Sequence, residues 1–161
     1  MILDADALNR ISESKLGANF FLERKLKTWI TPHHKEFVRL FPNIKGETNV
    51  ELAFNAAKEF NISVLLKGAN STVADKKKVW QLFGTDSQTA RAGLGDLLSG
   101  FVAGSAAIDL TFCGNITTDF FAKYVLLHSF ASSKCKTGAN ASDIGDELSK
   151  MIRNRKMRQI S

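Results

Sequence analysis

Residues 92–100, Ala-Gly-Leu-Gly-Asp-Leu-Leu-Ser-Gly, set small residues directly before an acid that opens an uncharged helical run. Small residues let backbone amides come close to an anion, and the free N–H groups of a helix start attract negative charge. We expect a helix to begin near Gly95, with Asp96 just inside it and able to take a proton from a hydroxyl group. The expected anion hole consists of Ala92, Gly93, Leu94 and Gly95. The alternative is a plain glycine turn capped by an aspartate.

Outward from this stretch, short apolar runs alternate with helical patterns, and no linker or repeat separates them. Strands are predicted over residues 1–4, 28–31, 62–67, 72–74 and 79–83, the last two joined by a lysine-rich hairpin turn at 75–78. Helices are predicted after a capping box at Thr48 and Glu51, from Gly95 to about residue 105, and over 117–132 and 142–155. This alternation predicts an α/β layered fold with helices on a mostly parallel sheet. In such sheets, ligands bind at the C-terminal ends of the strands.

Composition and charge are those of an ordinary globular domain. The chain has 161 residues, 44% hydrophobic and 24% charged, with a net charge of +6. Five of its 22 basic residues fall in the last 12 positions, which contain no acid, so 17 basic residues face 16 acidic ones elsewhere. We therefore expect a cationic end to the terminal helix and no nucleic-acid surface.

The start of the chain and its cysteines indicate where the protein works. Two widely spaced cysteines predict neither a zinc site nor a disulfide framework. The N-terminus lacks the pattern of a signal peptide, and the longest uncharged run, residues 97–108, is shorter than the ~20 residues that cross a bilayer. We expect a cytoplasmic protein that does not contact a membrane.

Three further segments follow the predicted strands, in an order that matches a known family. They are residues 4–9, Asp-Ala-Asp-Ala-Leu-Asn; residues 31–36, Thr-Pro-His-His-Lys-Glu; and residues 67–71, Lys-Gly-Ala-Asn-Ser. Together with Gly-Leu-Gly-Asp at 93–96 they resemble the ADP/ATP-dependent NAD(P)H-hydrate dehydratases. That family belongs to the ribokinase-like superfamily and was formerly described as carbohydrate kinases. The resemblance runs from Leu3 to about Arg155.

The resemblance implies a function and a set of site residues. The adenine nucleotide, ADP or ATP, is contacted in the family by the residues that correspond here to Lys67, Gly68, Ala69, Asn70, Ser71 and Gly95. The hydrated dinucleotide is contacted at His33 and Asp96, and Asp96 holds the catalytic position. The implied reaction is nucleotide-driven removal of water from hydrated NADH or NADPH, in which phosphorylation turns a ring hydroxyl into a better leaving group. Mg²⁺ is expected with the nucleotide, and no residue is assigned to a resident metal.

Several of these residues also have simpler interpretations. His33 could only cap the helix that follows it, and Lys67 could be an ordinary surface lysine. Asp4 and Asp6 could cap a helix or contact the ligand or Mg²⁺. His128, which lies in an aromatic helical pattern, is expected to be a packed core residue.

Family domains extend well upstream of the Asp-Ala-Asp-Ala-Leu segment, so this chain resembles the C-terminal portion of the domain, with the N-terminal part missing. We therefore expect a homo-oligomer, or a partner segment that supplies the missing strands. Two other functions stay open: a small-molecule kinase of the same superfamily acting on a sugar or pyrimidine, and a non-catalytic fragment or subunit.

Overall fold

The computed structural model describes residues 1–83, 93–135 and 138–157, and it contains one five-stranded sheet between two layers of helices. The strands are β1 (Ile2–Leu3), β2 (Trp29–Ile30), β3 (Ser63–Leu66), β4 (Ser71–Ala74) and β5 (Val79–Leu82). The helices are α1 (Ala5–Glu13), α2 (His34–Leu40), α3 (Asn49–Phe60), α4 (Leu94–Cys113), α5 (Thr118–Lys134) and α6 (Ala141–Met157). A short 3₁₀ helix, Gly17–Phe21, follows α1.

The sheet is mixed, with its strands in the order of the chain. β1, β2 and β3 run parallel, and each parallel step is made through intervening helices. β3, β4 and β5 form an antiparallel meander. The α/β fold is therefore as predicted, but half of the described strand pairings are antiparallel, which corrects the prediction of a mostly parallel sheet.

The two faces of the sheet carry separate hydrophobic cores. Side chains alternate across a strand, so Ile30, Val64 and Leu66 face α1, α2 and α3, whereas Trp29, Leu65 and Val73 face α4 and α5. A third, smaller cluster packs α6 against α5 through buried Ala131, Ile144 and Leu148. The result is a three-layer arrangement in which the sheet lies between two layers of helices.

The ends of several elements differ from the prediction. α4 continues to Cys113 and stops at Gly114, whose φ of 68° ends the helix in the left-handed region. Of the predicted capping box, Thr48 does accept a hydrogen bond from the backbone N–H of Glu51, 3.2 Å away. The Glu51 carboxylate, however, accepts from the backbone of Glu47. The N-terminus of α3 therefore has one of the two hydrogen bonds of a capping box, the one accepted by Thr48. The second is replaced by the bond from the Glu47 N–H to the Glu51 carboxylate.

Two predictions about individual segments are confirmed. The three lysines at 76–78 are exposed at the tip of the β4–β5 hairpin, where Asp75 accepts hydrogen bonds from the backbone N–H groups of Lys77 and Lys78. His128 is buried in α5 with 9% of its surface exposed. Both are structural features of the fold and lie apart from the motifs that carry chemistry.

α4 is the one helix of the described residues that is long and apolar enough to cross a membrane, judged by length and composition alone. It carries Asp96 and Asp109, and its buried residues Leu98, Val102 and Ala106 pack in the second core. A single helix of this kind is weak evidence for a membrane span.

Candidate functional site

Three chain segments meet at the C-terminal ends of β1, β2 and β3. Asp4 follows β1, His33 stands after β2, and Lys67 follows β3. His33 and Lys67 form an isolated parallel backbone bridge, and the Lys67 N–H donates to the Pro32 carbonyl oxygen over 2.9 Å. The sequence prediction that the motifs collect at this edge of the sheet is confirmed for these three segments.

Asp4 and Lys67 form an ion pair in which Nζ lies 2.9 Å from Oδ1. Both side chains are largely buried, 13% exposed for Asp4 and 26% for Lys67. Asp4 Oδ1 also accepts from the backbone N–H of Ala5, and Oδ2 accepts from Ser99 Oγ in α4 over 2.8 Å. Lys67 is thus not an isolated surface lysine, and Asp4 caps α1 while also linking three elements.

The environment of Asp4 favours its charged form. Burial raises the pKa of this carboxyl, but hydrogen bonds from Lys67 and Ser99, together with the positive charge of Lys67, lower the pKa further than burial raises it. The net pKa lies below its ordinary value of 3.8. A carboxylate and an ammonium group therefore face each other at this strand end at neutral pH.

Gly95 brings the start of α4 against this ion pair. A Cβ atom on Gly95 would lie 3.7 Å from Asp4 Oδ2 and 3.9 Å from Lys67 Nζ. A single methyl group would fit at these distances, but the branches of a larger side chain would meet the charged groups. The absence of a side chain at Gly95 keeps the space between the helix start and the lysine open.

The beginning of α4 has the features of an anion-binding helix start. Gly93 is the N-cap, with a φ of 82° that residues with a Cβ rarely adopt, and no described side chain caps the helix. The first intrahelical bond runs from the Leu97 N–H to the Gly93 carbonyl, so the N–H groups of the preceding turn point outward without an intrahelical acceptor. Asp96 is exposed in this first turn. Of the predicted anion hole, Ala92 lies outside the described residues.

The segment from Gly68 to Ser71 forms the turn between β3 and β4. Gly68, Ala69 and Asn70 are exposed, whereas Ser71 is buried as the first residue of β4. The Ser71 hydroxyl donates to the Gly68 carbonyl over 3.2 Å. This turn directly follows Lys67, so an exposed stretch of backbone continues from the ion pair.

His33 is both a helix cap and an accessible side chain. Its Nδ1 accepts from the backbone N–H of Glu36 over 3.2 Å, while the Glu36 carboxylate accepts from the His33 N–H over 2.8 Å. This reciprocal capping box fixes the imidazole at the N-terminus of α2, yet the side chain is 52% exposed. The capping interpretation is therefore correct, and it leaves the ring exposed to solvent, while the His33 backbone pairs with that of Lys67.

Sequence reasoning missed Ser99 and Glu36. Ser99 follows Gly95 by four residues and so lies one helical turn along the same face, a spacing that could have indicated its proximity to Asp4. Glu36 follows His33 by three residues, the spacing of a capping box. Neither signal identifies a partner that comes from a distant segment.

No group of three or more histidine, cysteine or acidic residues able to hold a metal ion occurs within residues 1–83, 93–135 and 138–157. A separate cleft of about 300 Å³ lies between α4, α5 and α6, lined by residues such as Phe101, Tyr124 and Met151. That cleft shares no lining residue with the Asp4–Lys67–Gly95 cluster.

The layered α/β fold is that of ribokinase-like proteins. A ribokinase-like superfamily protein from Enterococcus faecalis superposes with a TM-score of 0.75 over 95% of this chain and 52% of its own, at 24% identity. The ADP/ATP-dependent NAD(P)H-hydrate dehydratase from Bacillus subtilis, co-crystallized with ATP/Mg²⁺, gives a TM-score of 0.70 over 95% of this chain and 54% of its own, at 22% identity.

The sequence comparison identifies the family. The profile described as NAD(P)H-hydrate dehydratase matches residues 1–154, so the chain belongs to the NAD(P)H-hydrate dehydratase family. The bifunctional NAD(P)H-hydrate repair enzyme Nnr of Synechocystis sp. is 36% identical over 108 residues, which cover 66% of this chain and 20% of that protein. The ADP-dependent (S)-NAD(P)H-hydrate dehydratase of Nitrosopumilus maritimus is 37% identical over 78 residues, 47% of this chain and 27% of that protein. The chain thus spans about half the length of the solved structures and a smaller share of these curated relatives.

Proposed function

We propose that this chain supplies the phosphoryl-transfer part of a nucleotide-dependent NAD(P)H-hydrate dehydratase, a lyase of metabolite repair. The observation that carries the proposal is the approach of Gly95 to the Asp4–Lys67 ion pair. It sets an ammonium group and the outward N–H groups of a helix start around one open space. Both features stabilise negative charge, and a transferring phosphoryl group carries that charge on its oxygens.

The proposed reaction uses this space to change a leaving group. The ring hydroxyl of hydrated NADH or NADPH attacks the terminal phosphorus of ATP or ADP, and Asp96 accepts the hydroxyl proton. The new C–O–P linkage then breaks at the carbon, releasing phosphate, while loss of a proton from the adjacent ring carbon restores the double bond. The products are NADH or NADPH, phosphate and the shortened nucleotide, so no oxidant or reductant is needed. Asp96 is suited to its role because it is exposed in the first turn of α4.

We assign the adenine nucleotide and the hydrated dinucleotide to two neighbouring positions at the C-terminal ends of β1, β2 and β3. We place the adenine nucleotide along the segment Lys67, Gly68, Ala69, Asn70 and Ser71, with its phosphates at Gly95 and at the amides of the anion hole. We place the hydrated nicotinamide ring near His33 and Asp96. Mg²⁺ would arrive with the nucleotide, because this ion is usually held by substrate phosphates and one or two carboxylates.

We further propose that a partner segment, or a second copy of this chain, completes the domain. β1 lies at the end of the described sheet and pairs with β2 alone, so its other edge is open. An open edge is a template for another strand. The free cysteines Cys113 and Cys135 fit a reducing compartment, and we place the protein in the cytoplasm.

Conversion of hydrated NADH to NADH by the complete protein, followed by absorbance with ATP or ADP present, tests the function. Asp96→Asn should lower kcat by ~100-fold or more with little change in nucleotide affinity, since general-base contributions are of that size. Asp119→Asn is the matched control, because Asp119 is also an exposed acid in the first turn of a helix. Phosphorylation of a sugar or pyrimidine without conversion of the hydrate would support the kinase function instead. An unchanged kcat in Asp96→Asn would remove Asp96 from the mechanism.

A further inference from the structure

We infer that Asp4 is a positioning residue, whose task is to hold the Lys67 ammonium group at the start of α4. The inference rests on the proposed function for its consequence in catalysis, but the contact itself is a property of the fold. Asp4 Oδ1 is 2.9 Å from Lys67 Nζ, and Asp4 is the one hydrogen-bond partner of that ammonium group within the described parts of the chain. The position of the Lys67 ammonium group is therefore set by a single carboxylate, that of Asp4.

The Asp4 carboxylate is itself held from three directions. The Ala5 N–H donates to Oδ1 over 2.9 Å, Lys67 donates to the same oxygen, and Ser99 donates to Oδ2 over 2.8 Å. The backbone beside it is also constrained, since Ala5 has a φ of 44°, in the left-handed region that a residue with a Cβ seldom adopts. A strained backbone conformation directly after Asp4 is consistent with a functional requirement for the direction of the Asp4 side chain.

Lys67 needs such a support because its side chain is long and flexible. A lysine ammonium is a compact charge on a four-carbon stem, and fixing that stem costs conformational entropy. Without Asp4, the ammonium would move among several rotamers toward solvent. With Asp4, it stays 3.9 Å from the point where a Cβ of Gly95 would be, next to the helix-start amides.

The sign of the charge separates positioning from binding. Asp4 is negative and lies near the proposed phosphate position, so its charge opposes nucleotide binding while its hydrogen bond orders Lys67. Asp4→Asn removes the charge and weakens the grip on Lys67. We therefore expect nucleotide KM to stay unchanged or fall, while kcat falls by about 10- to 100-fold, the size of a misplaced catalytic group. A group that merely stabilised the fold would lower the melting temperature and the active fraction, but kcat per active site, with the sites counted from the nucleotide-binding stoichiometry, would stay unchanged.

The first test needs no activity. Competitive amine acetylation of the complete protein, read by mass spectrometry, compares Lys67 with the exposed hairpin residue Lys76 as an internal reference. Asp4→Asn should raise the relative labelling of Lys67 by about 3-fold or more, because the amine loses its ion-pair partner. Asp119→Asn, which removes the acid 3.4 Å from Lys78, should leave Lys67 labelling unchanged. Equal Lys67 labelling in Asp4→Asn and the unaltered protein would overturn the inference.

The second test measures kcat and nucleotide KM for Asp4→Asn and Ser99→Ala. Ser99→Ala removes one of the bonds that hold the carboxylate and keeps the Asp4 charge, so it should show a smaller fall in kcat, and it serves if Asp4→Asn does not fold. A kcat unchanged in both variants, in an enzyme that is active, would overturn the inference. If the unaltered protein does not convert the hydrate, the proposed function fails, and the labelling result alone decides whether Asp4 holds Lys67.

Discussion

The indole of Trp29 stacks on the ring of Phe121, with centroids 4.8 Å apart and planes inclined by 4°. Trp29 lies in β2 and Phe121 in α5, and both are almost completely buried. The pair joins the parallel half of the sheet to the helix layer that includes α4. The glycine-rich segment lies at the start of α4, which belongs to this helix layer. The contact between Trp29 and Phe121 therefore helps to fix the layer that forms one side of the candidate site.

Loss of that ring should therefore destabilise the whole domain. Phe121→Ala is expected to lower the free energy of unfolding by about 3–5 kcal/mol, because it removes a large buried ring and leaves a cavity. Denaturant titration followed by tryptophan fluorescence measures the change. Phe112→Ala is the control, since Phe112 is 81% exposed and its removal should change stability by less than about 0.5 kcal/mol. Equal effects from the two substitutions would contradict the described packing.

Gly95→Val should abolish nucleotide binding while leaving the fold intact. The branches of valine would extend past the Cβ position, which already lies 3.7 Å from Asp4 Oδ2 and 3.9 Å from Lys67 Nζ. Calorimetric titration of the folded protein with ADP or ATP and Mg²⁺ should show binding only for the unaltered sequence. Gly100→Val is the matched control, because it lies in the same helix and a Cβ there has no neighbour within 4 Å among the described residues. If Gly95→Val bound the nucleotide as well as the unaltered protein, the phosphate position would be wrong.

Stability should fall as the solution is acidified through the range in which His128 titrates. Burial lowers the pKa of His128 from 6.5 to about 4, and its Nε2 has no hydrogen-bond partner among the described residues. Between these two values the unfolded chain binds a proton that the folded chain does not, so acid favours unfolding. The loss begins near pH 6.5, is complete near pH 4 and amounts to at most about 3 kcal/mol.

Melting temperatures between pH 7 and pH 4 measure this dependence. His128→Leu should flatten the profile in that range, whereas His34→Gln, a change at an exposed histidine, should leave the profile unaltered. A profile equally steep in His128→Leu would show that other groups cause the acid sensitivity.

The open edge of β1 predicts association. We expect the 161-residue chain alone to form dimers or larger assemblies, or to need a partner segment, and to show little dehydratase activity by itself. Light scattering with chromatography measures the mass, and the hydrate assay measures the activity. A monomer with full activity would contradict both parts of this prediction.

Most of the architecture was predictable because strand and helix periodicities are local. Four of the five strands are shorter than predicted, with β1 and β2 two residues each, whereas β4 is one residue longer. An apolar run in the sequence indicates burial and not the extent of backbone pairing. α4 was predicted to end at about residue 105, yet Gly104 lies inside the helix, where a glycine costs only about 1 kcal/mol and has open space around it. The sequence predicts the hairpin of β4 and β5, but not its position beside the parallel strands.

The sequence indicated the segments that form the candidate site, but neither all of its members nor the contacts between them. The glycines, Lys67 and His33 stand in segments whose residue order is distinctive, so the sequence pointed to them. The bonds of Asp4 to Lys67 and Ser99 join residues 63 and 95 positions apart. No local pattern encodes such separations, because they follow from the way the strands are ordered in the sheet.

Those separations also give the chain an order of assembly. The meander of β3, β4 and β5 uses only residues 63–82, so its loops close at little entropic cost and it should form early in folding. The Asp4 cluster closes two much longer loops and should form late. Under the proposed function, nucleotide binding would require that the segments carrying Asp4, Lys67 and Ser99 have reached their native topology, so chains in which this cluster has not formed would not bind nucleotide.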